Sequence, residues 1–288
     1  MSSSVRVANR GAMAVRATTF AWGTRTFVMG IVNATPDSFS GDGRIEPSDA
    51  IARGLALLDA GADLLDIGAE STRPGHTPID ASEERRRLLP VVRGLRDARP
   101  DTVLSIDTFK ADVFATAFEH GGDLLNSIWG FDDALLACAV ARDVPIVVMH
   151  NRRDTGAGDV VDEVLESLDR QAERAVRAGI AADRVIVDPG IGFGKTPDQN
   201  LALLASLDRF VALGFPTLVG TSRKSTIGAL TGRDPGERTY GTAATVALAI
   251  AAGIDIVRVH DVAAMTDVVR VSDAIVRGWR PHTWLEKR

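Results

Sequence analysis

From Thr26 onward the chain repeats one plan: a short apolar or β-branched run, a polar residue with glycine nearby, then a longer stretch whose apolar residues recur with helical spacing. The runs occupy residues 26–33, 64–69, 103–108, 124–129, 145–150, 184–190, 216–222 and 256–261, eight in all. Between them, Ile51, Leu55, Leu58 and Ala62 form one stripe and Val161, Leu165, Leu168, Ala172 and Ala175 another, with charges on the opposite faces. Each stripe needs a sheet to lie on. Gly61, Gly121, Gly179, Gly214 and Gly253 each stand shortly before the next run, where a helix C-cap is expected.

Nearly every run is apolar on both faces, so the sheet is expected to be parallel and covered. Eight βα units in about 260 residues predict an α/β fold of the (β/α)8 TIM-barrel type; an open doubly wound sheet is the alternative. Residues 18–26 hold two short extended pieces about a Trp22-Gly23 turn, expected as a hairpin plugging the barrel floor. Residues 1–17 carry Arg6, Arg10 and Arg16 without an apolar h-region and read as a flexible N-terminal tail, not a secretory signal. No linker-like composition divides residues 18–288, which read as one domain.

Composition narrows the partners. Of 288 residues, 45% are hydrophobic and 25% charged, with 38 acidic against 33 basic side chains and a formal charge of -5. No basic run could follow a phosphate backbone, which argues against nucleic acid. The longest stretch free of charged and strongly polar groups, about residues 243–254, is well short of the ~20 residues a bilayer requires, so no membrane span is expected and a cytoplasmic location follows. Cys138 is the single cysteine; it excludes an intrachain disulfide and reads as a small apolar residue in a helix.

In a barrel of this kind chemistry collects where strands end. The residues there are Asn33, Asp66 with Glu70, Asp107, Asn126, His150, Asp188, the Arg223-Lys224-Ser225 group, and Arg258 with His260. Any one of them is also what a helix cap or a hydrogen-bonded structural histidine provides; the set on one rim points to a ligand site. Acids and amides come from the first six strands and bases from the last two, predicting a pocket with two ends. The basic end suits phosphate, and the carboxylates suit a heterocycle rich in N–H donors.

Residues 189–196 end like a P-loop, but Pro189 stands where the first glycine belongs, and Gly190, Gly192 and Gly194 lack dinucleotide spacing. They permit a sharp turn beside Asp188, with Lys195 solvent-facing or fixing the loop. The first βα loop, residues 34–43, is long and carries Asp37, Phe39 and Asp42; it can close over a site or be a surface turn. The second, residues 70–75, places Arg73 beside the presumed anion end.

These residues together resemble the dihydropteroate synthases, a family of pterin-binding TIM barrels. The resemblance rests on Met29-Gly-Ile-Val-Asn33, Thr35-Pro-Asp-Ser-Phe39, Glu70-Ser-Thr-Arg-Pro-Gly75, Ser105-Ile-Asp107-Thr, Asp188-Pro-Gly-Ile-Gly-Phe-Gly-Lys195, Ser222-Arg-Lys-Ser225 and Arg258-Val-His260-Asp261. It spans about residues 27–278. It implies condensation of 6-hydroxymethyl-7,8-dihydropterin diphosphate with 4-aminobenzoate, giving 7,8-dihydropteroate and pyrophosphate for folate biosynthesis, by a transferase that is usually a homodimer. By motif, Asp107, Asn126, Asp188 and Lys224 are expected to hold the pterin. Thr72, Arg258 and His260 bind the diphosphate, with Arg73 nearby and Asn33 helping to place Mg²⁺. Phe39, Pro74, Phe193 and Ser225 surround 4-aminobenzoate. The family ionises the carbon–oxygen bond before the amine attacks, so Mg²⁺, Arg258 and His260 stabilise pyrophosphate while Asp107 and Asp37 stabilise positive charge on the pterin; Lys224 completes the catalytic set.

Two departures stand out: Gly68-Ala69 where the family has Gly-Gly, and Asn126-Ser127-Ile128 where it has Asn-Asp-Ile. Strand alternation turns Ser127 away from the side that Asn126 and Ile128 share. Two alternatives use the same acids: a methyltransferase acting between methyltetrahydrofolate and a corrinoid, and a non-catalytic pterin-binding paralogue. The first has no need of Ser222-Arg-Lys-Ser225 or of the loop at residues 35–39.

Overall fold

A computed structural model describes residues 10–35, 46–71, 77–152 and 159–281. Eight parallel strands, β3 (Phe27–Asn33), β4 (Leu64–Gly68), β5 (Val103–Asp107), β6 (Leu124–Ser127), β7 (Ile146–Met149), β8 (Val185–Asp188), β9 (Leu218–Val219) and β10 (Ile256–Val259), lie in the order β8-β7-β6-β5-β4-β3-β10-β9. A parallel bridge between Val187 and Thr217 joins the two outer strands, with Val187 N donating to the Pro216 carbonyl at 2.8 Å. The sheet therefore closes into the expected barrel. An open doubly wound sheet would reverse its strand order at a switch point; here it advances by neighbours all the way round.

Strand alternation explains the core. Phe27, Leu64, Val103, Leu124, Val147, Ile186, Leu218 and Ile256 point inward and form one cluster. Their neighbours Val28, Leu65, Leu104, Leu125, Val148, Val187, Val219 and Val257 point outward and pack beneath the helices. Between the strands run α1 (Pro47–Asp59), α2 (Ala81–Ala98), α3 (Ala111–Glu119), α4 (Asp133–Ala141), α5 (Val160–Arg177), α6 (Pro197–Ala205), α7 (Leu207–Val211), α8 (Ser225–Thr231) and α9 (Thr239–Ala252), with α10 (Val262–Val276) after the last strand. The five glycines expected at helix ends all have positive φ. On α5 the expected stripe is buried, Leu165 partly. On α1 the expected Ile51-Leu55-Leu58 stripe packs half-buried against the core, while the fully buried line is Ala50, Gly54 and Leu57 beside it. Helix α2 packs closely on that line: a Cβ on Gly54 would lie 2.7 Å from Leu95 Cδ2.

The floor hairpin exists, but its position corrects the sequence reading. Its strands are β1 (Ala12–Val15) and β2 (Thr18–Ala21), joined at Arg16-Ala17, where Arg16 has φ 51°. Thus β1 lies in the stretch read as tail. With only Met13 and Val15 turned inward, its alternation is too short to stand out. Trp22, instead of turning the hairpin, is buried beside Phe20 and Phe27, with ring centroids 5.5 and 5.8 Å away. Among the described residues no helix is long and apolar enough to cross a membrane. Cys138 is half-buried on α4, its thiol pushed up by burial.

Candidate active site

Above the apolar floor the inward positions change chemistry. Two residues along each strand, Leu64 gives way to Asp66, Val103 to Ser105 and then Asp107, Leu124 to Asn126, Ile186 to Asp188, and Ile256 to Arg258. A pocket of about 380 Å³, measured out to its open mouth, is lined by Asp107, Asn126, Asp188, Lys224, Arg258 and Phe193, with Ile128, Met149, Ile191 and Gly220 completing the wall. Side chains spread from position 107 to 258 thus meet at the C-terminal ends of the strands. Ile128 and Met149, not among the expected site residues, are the inward partners that alternation places beside the polar ones, and Ile191 comes from the loop after β8.

The two charged ends expected from the strand order are not separate. Arg258 Nε donates to Asp66 Oδ2 at 2.6 Å, and its Nη2 donates to Asp107 Oδ2 at 3.2 Å. Lys224 stands among Asp107, Asp188 and the Phe193 ring, 3.9 Å from the ring centroid. Strands two and three places apart around the barrel thus share ion pairs, a relation the sequence order alone does not contain.

Burial in this company shifts the titrations. Asp107 is pushed up to about 7 by burial and then by the Asp66 charge, against the opposing pull of Arg258. Burial likewise raises Asp188 to about 6, opposed by the Gly190 N–H and by Lys224. Lys224 is brought down to about 8 by burial and by Arg258. Arg258 is raised: burial opposes its charge, but Asp66 and Asp107 outweigh it. Near neutral pH the pocket is poised between protonation states.

The loop after β8 carries three close approaches at glycines of positive φ; at Gly194, φ 59°, a Cβ would sit 2.0 Å from the Arg152 carbonyl oxygen. Gly190, at φ 68°, gives its N–H to Asp188 Oδ1 at 2.7 Å, and a Cβ there would sit 2.0 Å from the His150 carbonyl oxygen. Gly192, at φ 82°, leaves room for the Lys224 stem; its Cβ would lie 2.9 Å from Lys224 Cδ. Lys195 fixes this loop, donating to the carbonyls of Gly190 at 2.9 Å, Phe193 at 3.0 Å and His150 at 3.2 Å. His150 is buried beside it and brought down to about 4, first by burial and then by Lys195.

At the presumed anion end, the His260 backbone N–H donates to Ser222 Oγ at 3.1 Å, and the ring Nδ1 lies 3.1 Å from the same hydroxyl. Burial, then Arg258 and Arg223, bring the His260 ring down to about 3, so it is neutral at pH 7 rather than one of the cations. Arg223, counted among the bases there, is committed instead: its Nε and Nη2 pair with both oxygens of Asp261. Ser225 is exposed at the first turn of α8, and Asn33 ends β3 opposite Gly68. Ser127 faces away from the pocket, its hydroxyl donating to the Gly130 carbonyl at 2.6 Å, while the following Trp129 is exposed. Asp37, Phe39, Thr72, Arg73 and Pro74, like Asp42, lie outside the described residues.

Residues 29–260 match the family described as pterin binding enzyme. A dihydropteroate synthase of Synechocystis is 43% identical over 274 residues, 91% of this chain and 93% of that protein. The crystal structure of a Clostridium difficile dihydropteroate synthase in the presence of pteroic acid superposes with a TM-score of 0.86 at 40% identity, covering 90% of this chain and 99% of the other. That of Xanthomonas albilineans dihydropteroate synthase with 4-aminobenzoic acid gives 0.84 at 44% identity, covering 88% and 94%. These likenesses favour the synthase reading over the corrinoid methyltransferase that the acids alone left open. A barrel whose inward acids, amide and cations meet in one pocket, with this extent of likeness along its length, belongs to the dihydropteroate synthases among the pterin-binding enzymes.

Proposed function

We propose that this pocket holds the pterin ring of 6-hydroxymethyl-7,8-dihydropterin diphosphate on Asp107, Asn126, Asp188 and Lys224, and directs its diphosphate toward Arg258 and His260. The observation that carries the reading is the meeting of these pterin candidates with Arg258 on one pocket wall. Two carboxylates and an amide match the N–H donors of a pterin edge, and Lys224 matches its carbonyl.

The reaction joins the amine nitrogen of 4-aminobenzoate to the pterin methylene carbon. The carbon–oxygen bond breaks, its electron pair leaves on pyrophosphate, and the amine loses a proton. The described wall carries no hydroxyl or thiol, which suits direct transfer without a covalent enzyme intermediate. Half-buried Asp107 faces the ring where positive charge develops as the bond ionises, and Arg258 opposes the negative charge on the leaving group. Neutral His260 serves as a hydrogen-bond donor to that group, its Nδ1 taken up by Ser222. Phe193 and Ser225 flank the amine's approach.

Among the described residues no group of three His, Cys, Asp or Glu side chains gathers as a metal cage. The amide oxygen of Asn33 suits a hard cation carried mainly by substrate phosphates and water, so Asn33 would hold Mg²⁺ together with the diphosphate. When bound, Mg²⁺ supplies charge neutralisation on the leaving group.

The chain is also proposed to act as a cytoplasmic homodimer. Supporting this assembly, Tyr240 and Leu248 on α9 and Val271 and Ile275 on α10 are exposed apolar residues on two helices packed side by side.

The test of function is pyrophosphate release with dihydropterin diphosphate, 4-aminobenzoate and Mg²⁺. Release that depends on the amine supports the synthase reading. Uptake of the diphosphate without release would identify a binding paralogue.

A further inference from the structure

Beneath the pocket, and outside its lining, lies a carboxylate that neither the family motifs nor the mechanism above employs. Asp66 is fully buried on β4. Register sets it opposite Ser105, and sets Asp107 opposite Asn126 one step higher. Its Oδ1 accepts from Ser105 Oγ at 2.6 Å; its Oδ2 accepts from Asn126 Nδ2 at 3.1 Å and from Arg258 Nε at 2.6 Å.

We propose that Asp66 is a positioning residue for pterin recognition: its carboxylate turns the Asn126 amide so that the oxygen is left for the ligand, and it anchors Arg258 of β10, two strands away. The proposal rests on the pterin reading above.

The argument is one of hydrogen-bond polarity. An asparagine amide can rotate by half a turn and exchange a donor for an acceptor at little steric cost. A carboxylate only accepts, so Asn126 must give Asp66 its nitrogen. The amide oxygen then joins the Asp107 and Asp188 carboxylates as a third acceptor for a ring edge rich in N–H groups. An amide at position 66 would lift this rule, because it could donate to Asn126 Oδ1 as readily as accept from Nδ2. Arg258 would also lose its shorter carboxylate contact and be left with Asp107.

The groups acting on Asp107 are Asp66 from β4, Glu84 from α2, Arg258 from β10 and Lys224 ahead of α8. Removing the Asp66 charge takes away a carboxylate that opposes Asp107 ionisation and frees Arg258 to favour it. Both changes act in the same direction.

Titration of 6-hydroxymethylpterin by calorimetry, with the pH profile of kcat/KM, tests the proposal. Asp66→Asn is expected to weaken pterin binding about tenfold and to move the acid limb of kcat/KM to lower pH. A purely structural Asp66 would lower the melting temperature and leave that limb in place. Pterin affinity within about twofold of the parent in folded Asp66→Asn, with the acid limb unmoved, overturns the proposal. Should that variant not fold, Ser105→Ala decides: it removes one contact to Asp66 and leaves every lining side chain, and it is expected to weaken pterin binding about threefold. Unchanged affinity there counts against the proposal. Failure of the parent protein to bind 6-hydroxymethylpterin would overturn the pterin reading itself, and is seen before any variant is made.

Discussion

The Lys224 ammonium nitrogen lies 3.9 Å from the centroid of the Phe193 ring, so a half-buried cation faces an aromatic surface as well as the carboxylates of Asp107 and Asp188. Burial lowers its titration to about 8, and the ring's negative face works against that fall by about 0.5 to 2 kcal/mol. Activity should therefore decline above about pH 8 as Lys224 loses its proton. Phe193→Leu should move this basic limb to lower pH, seen in the pH profile of kcat/KM; an unmoved limb would remove the ring from this role.

Gly192 sets where the Lys224 stem runs. Gly192→Ala places a Cβ 2.9 Å from Lys224 Cδ on a backbone with φ 82°. The strain is expected to lower stability by about 1 kcal/mol, whereas pterin affinity should fall further than so small a stability loss explains. Parallel thermal melts and pterin titrations separate the two effects.

Asp188→Asn exchanges function against stability. Pterin binding should weaken by about 1.5 to 3 kcal/mol, the range of a charge-assisted hydrogen bond. Folding raises this carboxyl to about 6 from an ordinary value of about 3.9. Its favourable contribution is therefore complete below about pH 4 and lost as the pH rises through about 6. At pH 8 the ligand-free Asp188→Asn protein should be at least as stable as the parent, as urea unfolding would measure. A large loss there would mean that the Gly190 contact requires the charge.

Arg258 carries a structural load that Lys224 does not. Arg258→Ala leaves Asp66 without its cation and Asp107 with one fewer, a change expected to cost about 3 to 5 kcal/mol of stability, where Lys224→Ala should chiefly reduce activity. Arg258→Lys should recover part of the loss, since it restores the charge but not the two-pronged geometry. Equal unfolding midpoints for Arg258→Ala and Lys224→Ala would contradict this division.

If the α9 and α10 face joins two copies, Leu248→Glu with Ile275→Glu should yield monomers in sedimentation velocity, because each buries a charge at an apolar contact. A parent protein that sediments as a monomer at micromolar concentration would rule out the homodimer.

Much of the architecture follows from local pattern. Inward Leu64, Val103, Leu124 and Ile256 alternate with outward Leu65, Leu104, Leu125 and Val257, and helical stripes separate the strands. The start of the hairpin is not legible in the sequence because β1 has only two inward apolar residues to announce it. Asp107, Asn126, Asp188 and Lys224 were legible as site candidates because polar residues at the ends of buried strands are expensive without a ligand.

What the linear order could not contain was who faces whom. Sequence order puts Arg258 at a separate cationic end, yet it pairs with Asp66, 192 positions earlier. Hydrophobic periodicity is set by neighbours a few residues apart, so the chain by itself determined the βα alternation, the barrel and the polar rim. Strand register and barrel closure bring together distant positions, and only they decided that Asp66 lies beneath the pocket, that Arg223 is taken by Asp261, and that the two charged ends interlock.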